Sequence, residues 1–214
     1  SQRTAYHKYT FTKNDKQSVV VDLGFAINWD KALKTGITIE DEYTISGYRY
    51  SKGWAANQKV FFVAKFSKPI TESIITADKK VVAAKSAEGE NTALQLFFDS
   101  KDSKELGVKV ALSSVSIANA KDNLDAENPA FENVKTTASS DWNKALSKIT
   151  VETPVDSLKT IFYTALYHAQ VAPVTYSDKN GQFRTEDDKI VTSKNYTAYS
   201  TLSLWDTFRA ENPL

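Results

Sequence analysis

At 214 residues, with 41% hydrophobic and 12% aromatic content, the chain can bury one large core and lacks the composition of a disordered protein. Its 27 basic and 26 acidic residues are interspersed and leave a net charge of +1, so no basic stripe points to nucleic acid, and no run approaches the roughly 18 apolar residues of a membrane span. Cysteine is absent and the only histidines are His7 and His168, which removes disulfides, thiol nucleophiles and zinc-thiolate centres and leaves carboxylates, hydroxyls and aromatics for any chemistry.

In chain order, TAYHKYTFT (4–12) is rich in Tyr, Phe and Thr and predicts a first strand, with TKNDKQ turning the chain after it. SVVVDLGFAI (18–27) predicts a second. EYTISGYRYS (42–51) alternates, and QKVFFVAKFSKP (58–69) is a nearly continuous apolar strand closed by proline. KKVVAAKS, NTALQLFFDS and LGVKVALSSVSI complete the series, the last with Val108, Val110 and Leu112 on one face at a period of two. Strands at this spacing without helix signals predict an antiparallel β-sandwich.

Near position 120 the pattern changes. The stretch from Asp122 to Ile149 is polar with sparse apolar residues at helical spacing, Trp142, Ala145, Leu146 and Ile149, and reads as one or two connector helices. TPVDSLKTIFYTALYHAQVAP (153–173) is the clearest helix. Thr153 is placed to cap it, Pro154 suits the first helical position and Asp156 stands where a capping-box acid belongs. Leu158, Phe162, Ala165 and Ala169 follow one face, Pro173 ends it, and His168 is expected to be packed or to lie between domains. A looped stretch follows, in which Asn180-Gly181 signals a hairpin turn; it lacks the alternating acids of a calcium loop. The chain closes on SLWDTFRAENPL, where Ser203 and Asp206 again have the spacing of a helix start. The expected organisation is therefore sandwich (1–118), helical linker (119–152) and the start of a helical domain (153–214).

Two stretches carry possible site residues. In SLWDTFR, Asp206 can close a capping box with Ser203, Arg209 can pair with it at i+3, and Trp205 can be core. Alternatively these three line a pocket, where an aromatic face and a carboxylate–guanidinium pair suit a polyhydroxylated ligand. In ISGYRYSKGWAANQ (45–58), the glycines around Tyr48, Tyr50 and Trp54 make either a loop presenting aromatics or a strand, a turn and a hydrophobic plug. No Ser/His/Asp order and no phosphate-binding glycine loop is present.

The succession LYHAQVAPVTYSD, NGQFR and YSTLSLWDTFRAENPL, with AYHKYTF, VVVDLGFA and ISGYRYSKGWAANQKVFFVAKFSKP before it, resembles glycoside hydrolase family 92, the calcium-dependent α-mannosidases abundant in gut Bacteroidetes. The likeness runs through nearly the whole chain; Thr185 departs from it where a glycine often follows the arginine of NGQFR, and Leu202 where an aromatic is common. The resemblance implies an N-terminal β-sandwich, a helical linker and the first helices of an (α/α)6 barrel. It implies an internal segment of a longer polypeptide, an expectation that agrees with the absence of methionine. It further implies exo-acting hydrolysis of terminal α-mannosides of glycans, including N-glycans, with inversion: one carboxylic acid protonates the leaving oxygen, and a carboxylate about 6.5–9.5 Å away activates water. No catalytic residue maps onto this chain, since the acid, the base and most calcium ligands are expected beyond Leu214. By motif match, Trp205 and Asp206 are candidates for contact with the terminal mannose, Arg209 for orienting Asp206, and Trp54 for the sandwich side of the cleft. Export to the periplasm or outer-membrane surface is implied as well.

Three functions compete. The parent is an α-mannosidase of which this chain builds a part; the sandwich is itself a carbohydrate-binding module; or the sandwich is scaffold only. An unfinished helical portion favours the enzyme, since a free-standing module has no use for it, and fold analogy alone does not decide.

Overall fold

The computed structural model describes residues 1–12, 17–101, 103–128, 130–200 and 207. Ten strands come first: β1 (Thr4–Thr10), β2 (Gln17–Asp22), β3 (Lys31–Ile39), β4 (Thr44–Lys52), β5 (Gln58–Phe66), β6 (Ile70–Ala77), β7 (Lys80–Val82), β8 (Ser86–Gly89), β9 (Thr92–Phe98) and β10 (Glu105–Ser113). They form two antiparallel sheets, β1-β10-β5-β4-β3-β8 and β2-β9-β6-β7. The expected sandwich is borne out. Its core lies between the sheets, where Ile37, Ile45, Phe62 and Phe66 face Ile75, Leu94, Leu96 and Phe98, and the Phe66 and Phe98 rings stand 5.0 Å apart.

β9 buries Thr92, Leu94, Leu96 and Phe98 and leaves the residues between them half-covered, as a strand with one core face should. β5 is apolar almost throughout because both of its faces are covered. Phe62, Ala64 and Phe66 enter the sandwich, while Val63 is buried on the outer face beneath helix α1 (Ile117–Ala126), which packs Ala120 and Leu124 on Val63 and Ala111. Ser116 caps α1, its hydroxyl accepting the Asn119 N–H at 3.1 Å.

The second strand ends at Asp22, so Leu23–Ile27 belong to a loop. β3 and β6 were not expected, and each carries a register shift, between Ala32 and Lys34 and between Ile70 and Glu72. An inserted residue turns the following side chains to the other face and breaks the alternation by which a strand is read. Leu112 shares a face with Val108 and Val110 yet is 52% exposed.

The linker is two helices, α1 and α2 (Phe131–Leu146), followed by α3 (Asp156–Ala169). α2 ends before Ile149 and buries no residue fully; it meets the rest through Phe131 on Tyr6, 5.1 Å between centroids, and Trp142 on Tyr167, 4.5 Å. α3 begins two residues later than the cap signals imply. The Thr153 hydroxyl accepts the Val155 N–H at 3.2 Å, closing a turn, and extended Val155 becomes the cap without a side-chain bond. The covered face of α3 is also rotated: Leu166 is buried and Phe162, Tyr163 and Ala169 half-buried, whereas Leu158 and Ala165 are exposed. His168 is exposed beside Tyr167 instead of packed, because it lies off that face.

Asn180-Gly181 forms a hairpin-type turn, across which the Asp178 N–H donates to the Gln182 carbonyl at 2.8 Å. It ends a tight turn closed by the Gly181 N–H on the Asp178 carbonyl (2.9 Å), and Gly181 then adopts φ +83°. A second hairpin joins β11 (Gln182–Arg184) to β12 (Ile190–Thr192), with Asp188 in the left-handed region and the Thr185 hydroxyl accepting the Lys189 N–H at 3.1 Å. On either side, residues 174–176 pair with residues 198–200.

This ribbon is fastened to the corner where β10 gives way to α1. The Asp178 carboxylate is buried and accepts from Ser113 Oγ at 2.6 Å, Asn119 Nδ2 at 2.8 Å and Asn123 Nδ2 at 2.8 Å. Asn123 also accepts the Lys179 N–H at 2.8 Å. Arg3 adds a tie from β1: its Nε donates to the Ser177 carbonyl at 2.9 Å, and its backbone and guanidinium donate to Glu127. Burial pushes the Glu127 carboxyl up, but the Arg3 N–H, Ser1 and the Arg3 guanidinium together outweigh it and hold the group below its ordinary value.

Three outcomes are expected. Gly47→Ala, whose new Cβ would meet the Gly36 carbonyl at 2.5 Å and the Phe62 ring at 2.6 Å, lowers stability by about 1–3 kcal/mol in urea denaturation. Asp178→Ala costs roughly 1–3 kcal/mol for each buried donor left unpaired, and Asp178→Asn does not restore stability because its NH2 faces other donors. The Glu127 contribution is present above the unfolded carboxyl value of about 4.3 and is lost as pH falls through the lower folded value. Melts at descending pH therefore show an acid loss in the wild type that is smaller in Glu127→Gln.

Candidate functional site

Trp54 stands at the tip of the β4–β5 loop, 91% exposed, in a turn closed by the Gly53 N–H on the Ala55 carbonyl at 3.0 Å. It is presented to solvent and is no hydrophobic plug. Facing it is the β2–β3 loop. Asp22 Oδ1 holds the start of that loop by accepting the Gly24 and Phe25 N–H groups (2.9 and 3.2 Å), and Asn28 turns it with φ 57°. The turn delivers Trp29, 62% exposed, to a centroid distance of 5.3 Å from Trp54 at an interplanar angle of 64°.

The paired indoles border a cleft of about 330 Å³, whose other lining includes Asn28, Asp30, Gly53 and Gln58. Asp30 is oriented by an ion pair with Arg49 of β4, and Gln58 Oε1 accepts from Ser51 Oγ at 3.4 Å. Gly53 leaves room for that carboxylate, since a Cβ there would come within 3.2 Å of Asp30 Oδ1. Arg49 Nε is buried with no hydrogen-bond partner among the described residues. Gln58 and Arg49 also border a larger cavity of about 490 Å³ that runs between the sheets past Val60, Phe62 and Val110.

The helical part of the chain reaches this edge of the sandwich through the β11–β12 hairpin. Arg184 Nε and Nη2 donate to the Ser114 and Val115 carbonyls at 2.8 and 3.0 Å, and Nη1 pairs with Asp188 at 3.0 Å. The other Asp188 oxygen pairs with Lys59, the residue after Gln58, whose ammonium lies 5.3 Å from the Tyr50 ring centroid. The hydrogen bond from Lys59, reinforced by Arg184, holds the Asp188 carboxyl below the ordinary aspartate range.

Of the residues singled out in the sequence, Trp54 borders the cleft, whereas Trp205, Asp206 and Arg209 lie outside the described residues, as does Leu202. Thr207 is buried, and its hydroxyl has no hydrogen-bond partner among the described residues. Asn28, Trp29, Asp30, Arg49 and the Lys59–Asp188 pair were not anticipated. The available signal was the polar-aromatic run NWDK between two strands, unusable while β3 went unrecognised. Among the described residues no group of three or more His, Asp or Glu side chains could hold a metal ion. Asp178, in the stretch considered for calcium, has both carboxylate oxygens taken by N–H and O–H donors and does not fit a calcium ligand.

The profile of the glycosyl hydrolase family 92 N-terminal domain matches residues 1–113, and that of the family 92 catalytic domain matches residues 119–214. Among solved structures, the family GH92 alpha-mannosidase BT3965 from Bacteroides thetaiotaomicron superposes with a TM-score of 0.92 at 32% identity over 99% of this chain. A complex of that enzyme with mannoimidazole gives the same figures. The inverting family GH92 mannosidase BT2199 from the same species shares the fold, with a TM-score of 0.84 at 24% identity over 99% of this chain. The chain spans 29% of the length of each of these enzymes. No curated protein matches it. From its first strand to its last residues, the chain belongs to glycoside hydrolase family 92.

Proposed function

We propose that the polypeptide containing this chain is an exo-acting α-mannosidase that hydrolyses terminal α-mannosides of glycans, and that this chain supplies its sandwich, its linker and the first helices of its barrel. The observation that carries this reading is the 32% identity to an alpha-mannosidase over 99% of the chain, an enzyme that also takes mannoimidazole. Hydrolysis proceeds with inversion, the mode implied for the family: an acid protonates the leaving oxygen while a carboxylate on the opposite face activates water. Both groups belong to other parts of the enzyme.

Within this chain, Trp205 and Asp206 contact the terminal mannose. Asp206 accepts hydrogen bonds from sugar hydroxyls, Trp205 packs on the C–H face of the ring, and Arg209 orients Asp206. Trp54 contributes from the sandwich side. Calcium dependence is proposed for the whole enzyme; the described residues offer no carboxylate set for the ion. Export to the periplasm or outer-membrane surface is part of the same reading. Among the described residues no helix is long and apolar enough to cross a membrane.

In the whole enzyme, Asp206→Ala lowers hydrolysis of an α-mannoside disaccharide by at least tenfold with the thermal melt unchanged. A wild-type rate in that variant removes Asp206 from the site. Proton NMR of the fresh product shows β-mannose first; α-mannose appearing first refutes inversion.

A further inference from the structure

We propose that Asn28, Trp29, Asp30, Trp54 and Gln58 form a subsite on the sandwich for a second pyranose ring of a mannose-containing glycan. The subsite extends the sandwich-side role given to Trp54 and draws on none of Trp205, Asp206 and Arg209. The identity of the sugar rests on the mannosidase reading above; the geometry by itself calls for a pyranose.

Two indole rings, 91% and 62% exposed, meet edge to face, 5.3 Å between centroids, and together form one apolar wall of the cleft. Tryptophan at that exposure gains little from its own fold, and the apolar faces it offers match the C–H face of a sugar ring. The cleft, about 330 Å³, falls within the span of small-molecule sites, about 300–1,000 Å³. Its polar lining is matched to hydroxyls rather than to a charged ligand. Arg49 neutralises Asp30 through one carboxylate oxygen, and the other oxygen points to Gly53, which has no side chain to cover it. Gln58 uses its oxygen on Ser51 and keeps its NH2 as a donor, and Asn28 offers both kinds of group. Acceptor, donor and mixed amide thus surround an aromatic pair, the set that a polyhydroxylated ring satisfies and an alkyl chain does not.

The supports of this lining are rigid. Asp30 is tied to β4 through Arg49, the β2–β3 loop is pinned at Asp22, and Gln58 opens β5 directly beside the Lys59–Asp188 pair. The β11–β12 hairpin is thereby tied, through Asp188, to the strand that carries Gln58.

The test is titration of the whole enzyme with non-hydrolysable thio-linked α-mannotriose and with maltotriose, followed by isothermal calorimetry and tryptophan fluorescence. Saturable binding of mannotriose is expected, weakened at least fivefold in Trp29→Ala and unchanged in Trp142→Phe, with the melting temperature of each variant within error of the wild type. Absence of binding, or binding untouched by Trp29→Ala, overturns the subsite. Equal binding of maltotriose overturns its assignment to mannose glycans. Binding together with a whole enzyme inert on α-mannosides upholds the subsite and removes the mannosidase reading, and hydrolysis without binding here does the reverse.

Discussion

A carboxylate withdrawn from water must recover through hydrogen bonds what it loses in solvation. Asp178 does so with donors from three places in the chain: Ser113 at the end of β10, and Asn119 and Asn123 one turn apart on α1. Each donor is small and neutral, so the charge is spread over directional bonds instead of being cancelled by one partner. Such a site tolerates little displacement, because a shift toward any donor strands another. The orientation of the ribbon from Asp178 to Thr192 relative to the sandwich is fixed here. Arg184 on the β10–α1 carbonyls and Lys59 on Asp188 extend the same hold along the ribbon.

The exposed tryptophans depend on similar economy. Loops long enough to present aromatic rings are commonly soft, yet these two are braced from beneath by strand residues, Arg49 for one and Gln58 for the other. The ring edges can face solvent while the backbone that carries them stays with the sheets. This division, rigid strands below and apolar faces above, gives the sandwich a role beyond filling space between helices.

Much of the sandwich was legible because β9 keeps the two-residue period that a single core face imposes, and β5 was legible as a strand covered on both sides. β3 and β6 were not, since each contains an inserted residue that shifts the alternation. For α3, existence and approximate end were readable, but which side is covered depends on contacts from the linker, such as the Ile149 carbonyl accepting from the Tyr163 hydroxyl, and propensity carries no such information. At the site, Trp54 was visible as an aromatic beside a glycine. Its partner Trp29 was not, because the two meet across strands whose pairing had first to be known. The role of Asp178 was hidden for the same reason: its donors lie 55 to 65 residues away. In the sequence it looked like an ordinary turn aspartate before Asn180-Gly181.

The two strands of the β11–β12 ribbon are three residues long each, too little to persist as an isolated hairpin in water. Its template is the β10–α1 corner, which precedes it in the polypeptide and leaves the ribosome first. Synthesis from the N-terminus therefore builds the mould before the piece that must be cast in it, and a polypeptide stripped of its sandwich would enter the cell with the second half of this wall unable to take shape.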